Sequence, residues 1–345
     1  MTVRRLGLVV HGGKEAALAA ARDVRHWAAQ REIACVDIDV WDDHRLHARE
    51  EAERAGHPDL IVTVGGDGTF LRGVRVAAAV DALVLGVNVG RVGFLTEVGT
   101  GELLEALDAV HRGEIQTDQR MALTMRASRP LEIPAHIQAM LGHARGPVLP
   151  PPHVRPGVRS TRGWGVPLDV LALNDIVVEK LARDRQASLA VYIGGRLFAS
   201  YSADALIVAS STGSTAYSFS AGGPIVSPHL DALVFTPVAP HMVFNRSVVL
   251  DKSQHIGILV LEHSGQVAIS VDGQLRGVLG PGDWVSVYAA ARRSRLARLR
   301  EHDFLGRVRD RFGLVDSAAA LADGHAPAYA PNEELPPDLA HPGPD

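Results

Sequence analysis

Apolar runs alternate with amphipathic stretches over the first 120 residues. Residues 6–10, 60–64 and 83–87 are short apolar runs of the kind that forms buried strands. Residues 14–30 and 103–110 carry apolar side chains at helical spacing, and Gly113 follows the second stretch as a helix stop. The alternation predicts βαβ units around an open parallel sheet, whose ligands should lie beyond the carboxyl ends of the strands.

From about residue 121 the pattern changes to short β-rich runs separated by turn residues. These runs are residues 170–173, 176–179, 189–193, 206–209, 256–261, 267–271 and 284–289. Many short strands at this spacing predict an all-β domain that resembles a β-sandwich.

The two patterns and the proline distribution predict the domain organisation. Residues 1–120 form an α/β domain, and residues 121–290 form a β-rich domain interrupted at 146–167 by an exposed insertion with six prolines. Residues 291–315 are expected to return to the first domain. The proline-rich end, 316–345, is expected to be a flexible tail.

Composition excludes several classes of partner. A net charge of −4 gives no electrostatic case for nucleic acid or an anionic membrane. Apolar residues nowhere form a continuous run of about eighteen, which a membrane span requires. Cys35 is the single cysteine, so an intrachain disulfide is impossible and a reducing cytoplasm is favoured.

The sequence Gly-Gly-Asp-Gly-Thr at residues 65–69 follows an apolar run directly and is the strongest chemical signal in the chain. Glycines let a backbone approach a bulky anion closely, and the start of a helix offers N–H donors to phosphate. Asp67 is therefore a candidate base for an alcohol that attacks a nucleotide phosphate, or a candidate carboxylate that organises the metal ion. The alternative is that Asp67 only caps the helix.

Two further segments are candidates for ligand contact. Residues 210–224 are rich in hydroxyl groups and glycines after a predicted strand, a composition suited to a phosphorylated, hydroxylated ligand. The alternative is a Ser/Thr-rich loop that caps a helix. Asn174 and Asp175 offer donors and acceptors to a base or a ribose, although such residues between strands are also common turn formers.

Six motifs in order resemble the NAD kinase family. They are GGDGT at 65–69, GRVGFLTE at 90–97, Asn174-Asp175, TGSTAY at 212–217 with AGGP at 221–224, PVAPH at 237–241, and VDGQ at 271–274. The resemblance covers roughly residues 6–314 without the insertion. Ser210-Ser211, Ala205 and Asp175 stand where the family usually has Thr-Pro, Gly and Glu.

The resemblance implies transfer of the ATP γ-phosphoryl group to the 2′-hydroxyl of the adenosine ribose of NAD, with Asp67 as general base. It implies Mg²⁺ carried by the ATP phosphates, with no metal ligand from the protein. It also implies a homo-oligomer, because in the family an adjacent subunit completes the pocket. The residues implied to bind substrate are Gly66, Gly68, Thr69, Phe94, Asn174, Asp175, Asp204, Thr212, Thr215, Ala216, Tyr217, Ser220 and, from the adjacent subunit, Ala239.

Two other functions stay open at this point. The aspartate motif alone is shared with phosphofructokinases and with lipid kinases, so a lipid or sugar kinase is one alternative. A non-catalytic NAD(P) sensor is the other. An arginine stripe at residues 292–300 is interpreted as a solvated edge strand or a subunit contact, although its arginines could also meet ATP phosphates. The histidines show no zinc-ligand spacing with Cys35, so no structural zinc is expected.

Overall fold

A computed structural model describes residues 3–40, 47–90, 93–141, 149–155, 163–182, 185–300 and 303–314. In chain order the strands are β1 (Arg5–Val10), β2 (Ala34–Asp37), β3 (Leu60–Gly65), β4 (Leu83–Asn88), β5 (Val98–Gly99), β6 (Gln116–Arg120), β7 (Leu123–Ala127), β8 (Val166–Pro167), β9 (Asp175–Lys180), β10 (Ala187–Ile193), β11 (Arg196–Ala203), β12 (Ala205–Ser210), β13 (Ala232–Val238), β14 (Val248–Asp251), β15 (Ile256–Val260), β16 (Val267–Val271), β17 (Gln274–Leu279), β18 (Trp284–Ala289) and β19 (Ser294–Arg298). The helices are α1 (Glu15–Gln30), α2 (Ala48–Arg54), α3 (Asp67–Val80), α4 (Leu103–Arg112), α5 (Ala135–Leu141), α6 (Tyr217–Ser220) and α7 (Phe304–Phe312).

The first sheet has the strand order β2-β1-β3-β4-β19-β6, with β5 paired to β4. All its pairings are parallel except that of β19 with β6. Successive residues of β3 point to opposite faces, so Leu60 and Val62 pack with α1 and α4 while Ile61 packs with α2 and α3. Helices on both faces explain why β1, β3 and β4 are apolar along almost their whole length.

The other two sheets are antiparallel and face each other. Their strand orders are β11-β10-β15-β18-β7-β8 and β14-β13-β12-β9-β16-β17. One apolar cluster contains side chains from both sheets, for example Val191 and Val287 from one and Val178 and Val208 from the other. The α/β domain with an open parallel sheet and the sandwich-like β-rich part are thereby confirmed.

Two sequence expectations on strands are wrong. Residues 170–173 form no strand. Ala172 makes a single bridge with Leu123, and the backbone N–H groups of residues 173–175 donate to the Asp272 carboxylate instead of a neighbouring strand. The arginine stripe is not an edge strand either. Its strand, β19, lies between β4 and β6 in the interior of the first sheet.

The described part of the proline-rich insertion packs against the protein rather than standing clear of it. Leu149 is 3% exposed, and Val166–Pro167 pairs with β7 as an edge strand, the position in a sheet that tolerates proline. The predicted tail at 316–345 lies outside the described residues. Within the described ranges, no helix combines the length and apolar character needed to cross a bilayer.

Residues 1–304 form one compact unit, and residues 305–345 belong to a second. Of the second unit, the structure describes residues 305–314, which include most of α7. The domain divisions at residues 120 and 290 stay predictions.

Candidate active site

The glycine-rich segment is the turn from β3 into α3. Gly66 precedes the helix with an extended backbone (φ −110°, ψ −171°), and its carbonyl accepts hydrogen bonds from the N–H groups of Thr69 and Phe70, each at 3.0 Å. A Cβ placed on Gly66 or Gly68 would have no heavy atom within 4 Å, so one side of this turn is open. An anion can approach the first N–H groups of α3 there, where the helix dipole favours negative charge.

The Asp67 carboxylate is held by the backbone of the loop at residues 93–97. Its Oδ2 accepts a hydrogen bond from the Phe94 N–H at 3.1 Å, and its Oδ1 accepts one from the Leu95 N–H at 3.3 Å. A Cβ on Gly93 would lie 2.2 Å from Oδ1 and 2.3 Å from Oδ2. Glycine at position 93 is therefore required by the close approach of this carboxylate.

A buried arginine supports the same loop from β19. Arg298 is 2% exposed, and its Nη1 donates to the Leu95 carbonyl at 3.2 Å and to Glu97 Oε2 at 2.7 Å. Its Nε donates to Asp118 Oδ2 at 3.2 Å. Although burial raises the pKa of Asp118, hydrogen bonds and charges from Arg120 and Arg298 outweigh it and lower that pKa. Arg298 is thus a buried partner of two carboxylates, and not part of a solvated stripe.

A cavity of about 690 Å³ opens beside the turn. Gly66, Gly68 and Thr69 line one part of it. Among the described residues that line it, basic side chains outnumber acidic ones. The acidic ones are Asp169 and Asp272, and the basic ones are Lys14, Arg49, Arg72, Arg75, Arg155, Arg276 and Arg292. Apolar side chains line the remainder, among them Leu71, Leu149 and Val271. A cavity that is apolar in one part and basic in another suits a nucleotide with several phosphates.

Asp272 joins this cavity to Asn174 and Asp175. Its carboxylate accepts hydrogen bonds from the N–H groups of Leu173 (3.0 Å), Asn174 (2.7 Å) and Asp175 (3.2 Å). Burial, followed by the charge of Asp272, raises the pKa of Asp175 to about 7. Burial also raises the pKa of Asp272, to about 6, against the lowering effect of its three N–H donors. Those three donors favour the ionised form of Asp272, so the pKa of Asp175 is raised further than that of Asp272.

The hydroxyl-rich segment follows β12 as a 3-10 helix at Thr212–Thr215 and then α6. Ser210 Oγ donates to the Leu173 carbonyl and accepts from the Gly213 N–H, while Ser211 Oγ contacts the Leu230 carbonyl. The two serines that replace Thr-Pro are thus buried and hydrogen-bonded to neighbouring backbone. Thr212 Oγ1 is buried with no hydrogen-bond partner among the described residues.

The remaining residues of the resemblance lie around this segment. Asp204 Oδ1 is 2.6 Å from Lys180 Nζ, and Ala205 begins β12 without a left-handed backbone. Thr215 Oγ1 donates to the Thr212 carbonyl at 3.3 Å. Ala216 precedes α6, and Ser220 ends it. Tyr217 is 41% exposed, and burial of its hydroxyl raises its pKa. Ala239 is exposed with a left-handed φ of 44°.

The structure thus assembles two groups. One is the turn at residues 66–69 with the loop at 93–97, and the other is Asn174-Asp175 with residues 204–220. Asp272 lines the cavity with the first group and holds the backbone of the second. Ala239 follows Val238, whose carbonyl accepts the Asp204 N–H at 3.0 Å, and the Ala239 carbonyl itself accepts from Gln186 Nε2 at 3.3 Å.

Two family models match the chain and cover most of it. The ATP-NAD kinase N-terminal domain matches residues 6–115, and the ATP-NAD kinase C-terminal domain matches residues 173–299. The chain belongs to the NAD kinase family. The boundary between the two matches coincides with the insertion and with the change from parallel to antiparallel sheets.

Relatives of this NAD kinase agree with the assignment. "NAD kinase 1" of Streptomyces coelicolor is 60% identical over 343 residues, which are 99% of this chain and 94% of the relative. The chain is therefore an NAD kinase, an enzyme that phosphorylates NAD, and these matches favour that function over a lipid kinase, a sugar kinase or a sensor. Two crystal structures share the fold at 21% identity. Yeast NADH kinase complexed with NADH has a TM-score of 0.71, with 92% of this chain and 89% of that one covered. An Archaeoglobus fulgidus NAD kinase in complex with ATP has a TM-score of 0.59, with coverages of 90% and 96%.

Reasoning from sequence missed several residues of this NAD kinase site. The VDGQ motif was recognised, but no role was assigned to Asp272 within it. Arg72 and Arg75 were not singled out, although they follow the GGDGT motif by a few residues and their spacing of three places them on one face of α3. That spacing was a usable signal. Arg155 and Arg276 carried no such signal, because their approach to the cavity depends on the sandwich.

Proposed function

We propose that Asp67 is the general base of the NAD kinase reaction. The 2′-hydroxyl of the adenosine ribose of NAD transfers its proton to the Asp67 carboxylate and attacks the γ-phosphorus of ATP, which gives NADP and ADP. The observation that carries this proposal is the pair of N–H donors from Phe94 and Leu95, which fix the carboxylate at the start of α3. A fixed base within reach of the hydroxyl accelerates such a transfer by about 10²–10⁴-fold.

ATP is proposed to occupy the cavity of about 690 Å³, with its phosphates against Gly66, Gly68 and Thr69. The excess of basic side chains suits a triphosphate. Among the lining residues that the structure describes, only Asp169 and Asp272 carry a carboxylate, so this donor set fits a Mg²⁺ that binds mainly through the phosphates. When bound, Mg²⁺ supplies charge neutralisation of the phosphoryl oxygens.

NAD is proposed to bind on the side of Phe94, Asn174 and Asp175. The other proposed substrate-binding residues of this group lie around it, namely Asp204, Thr212, Thr215, Ala216, Tyr217 and Ser220. Support comes from Asp272, which links that group to the cavity through three backbone hydrogen bonds. We further propose a homo-oligomer in the cytoplasm in which Ala239 of an adjacent subunit completes the pocket. Exposed Val243, Phe244 and Phe198 offer apolar surface for such contact.

The test is NADP formation by the purified chain with NAD, ATP and Mg²⁺, for the wild type and for Asp67→Asn. We expect kcat to fall by about 10²–10⁴-fold in the variant. Asp81→Asn is the matched control, because Asp81 ends the same helix with a left-handed φ of 57°, which asparagine also adopts, and lies outside the cavity lining. Normal turnover by Asp67→Asn would exclude the proposed base.

A further inference from the structure

Three metal-ligating side chains converge at the rim of the cavity and have no role in the proposed transfer. His47 directly precedes α2, Glu50 lies in the first turn of α2, and His153 belongs to the described part of the proline-rich insertion. One ligand atom from each residue lies within 4.8 Å of those of the other two. His47 also lines the cavity. Two segments that are about a hundred residues apart in sequence therefore bring an imidazole, a carboxylate and a second imidazole together.

The hydrogen bonds of His47 determine which ring nitrogen carries its lone pair. Nε2 lies 2.9 Å from the Pro151 carbonyl oxygen, which only accepts, so Nε2 carries a proton. In the neutral ring Nδ1 is then unprotonated, and it faces Glu50 Oε2 at 3.3 Å. The same oxygen accepts the His47 backbone N–H at 2.9 Å. Two facing lone pairs need either a second proton on the ring or a cation between them.

The separation of His47 Nδ1 and Glu50 Oε2 suits a tetrahedral transition metal. Metal–ligand bonds of about 2.0–2.1 Å place neighbouring ligand atoms about 3.4 Å apart, close to the separation of Nδ1 and Oε2. The His153 ring lies against the His47 ring with centroids 3.4 Å apart. Because His153 is exposed, a change of its side-chain torsion can turn a ring nitrogen toward the shared point. A metal-ligating histidine usually donates its other ring N–H to a carboxylate or a backbone carbonyl, as His47 Nε2 does to the Pro151 carbonyl.

We propose that His47 Nδ1, the Glu50 carboxylate and a ring nitrogen of His153 bind a divalent transition metal of the zinc class. Two imidazole ligands select such an ion over Mg²⁺, so the site is distinct from the Mg²⁺ that accompanies ATP. Leu149 and Arg155, from the segment that carries His153, line the cavity. The metal therefore connects residues 149–155, which form part of the cavity wall, to the start of α2. The fourth coordination position of the metal is left for water.

The test uses the full chain without an affinity tag, stripped of metal with a chelator and transferred to chelator-free buffer at pH 8. Zn²⁺ is titrated by competition with a chromophoric chelator, and Co²⁺ is added separately to read its visible absorption. We compare the wild type, His153→Gln and a control, His263→Gln, which alters an exposed histidine outside the cluster. One equivalent of Zn²⁺ should bind to the wild type and to the control.

Loss of the outer hydrogen-bond partner of a metal ligand weakens metal binding by roughly 10–100-fold. Removal of a ligand itself should weaken Zn²⁺ binding by at least as much. Co²⁺ bound to the wild type should show tetrahedral absorption that His153→Gln lacks. Melting temperatures without metal should match among the three proteins, which separates ligand loss from misfolding. Equal Zn²⁺ affinity of wild type and His153→Gln, or no saturable binding, would overturn the proposal, and protonation of His47 would then explain its contact with Glu50.

Discussion

Replacement of Gly93 by alanine tests whether the loop at 93–97 positions the proposed base. The added Cβ would lie 2.2, 2.3 and 2.4 Å from Oδ1, Oδ2 and Cγ of Asp67. A carbon–oxygen contact needs roughly 3.3 Å, so the carboxylate or the loop has to move by about 1 Å. Such a displacement costs about 100-fold in kcat, which is about 2.7 kcal/mol of transition-state stabilisation.

The assay is initial-rate NADP formation across NAD and ATP concentrations. Gly101→Ala is the control, because a Cβ at that position has no heavy atom within 4 Å. Since Gly93 acts through Asp67, adding Gly93→Ala to the Asp67→Asn variant should lower kcat little further. A Gly93→Ala enzyme with kcat within about twofold of the wild type would refute the idea that this loop positions the base.

Three other measurements examine neighbouring features. Gly68→Ala adds a methyl group to open space, so we expect an unchanged melting temperature and a raised KM for ATP; an unchanged KM would show that no phosphate approaches this backbone. Arg298→Met removes the arginine that contacts two buried carboxylates, Asp118 and Glu97, and should lower the free energy of unfolding by about 3–5 kcal/mol in urea titrations, whereas Arg300→Met, at a side chain that is 79% exposed, should change it little. The pKa of Asp175 is raised from 3.8 to about 7, so its contribution to stability is fully present below about pH 4 and is lost as pH rises to about 7; Asp175→Asn should flatten the fall in the urea midpoint between about pH 4 and 7, and an equally steep fall would contradict the shift.

The parts of the fold that sequence predicts best are those with strong local signals. Buried parallel strands are short and almost continuously apolar, so β1, β3 and β4 were located to within one residue. Residues 170–173 are apolar as well. Local composition does not reveal that a distant carboxylate, that of Asp272, accepts hydrogen bonds from the backbone N–H groups of Leu173 and of the two residues after it. Strand assignment failed there because the competing partner lies about a hundred residues away.

Candidate site residues differ in the same way. Those with a strong local signal are predicted from the sequence, and those whose partners lie far along the chain are not. The turn at residues 66–69 is visible in the sequence because glycines and an aspartate are concentrated in one short segment. Arg298 is not, because arginine in a basic stretch is typical of solvated surface, and only the fold reveals Asp118 and Glu97 around it. The sequence gives no local signal for His153 either, for a similar reason. Its nearest ring, that of His47, lies across the fold and not nearby in the chain.

The position of β19 between β4 and β6 has a consequence for how the chain is made. During synthesis β6 emerges from the ribosome long before the strand that joins it to the rest of the first sheet. At 5–20 residues per second, the roughly 180 intervening residues take about 9–36 s to translate. Until then β4 is unpaired at Leu83 and Val84, because β5 covers only Val87 and Asn88 of that edge, and Asp118 and Glu97 lack Arg298. The nascent α/β half therefore exposes a short strand edge, at which another chain can pair, until the last strand arrives.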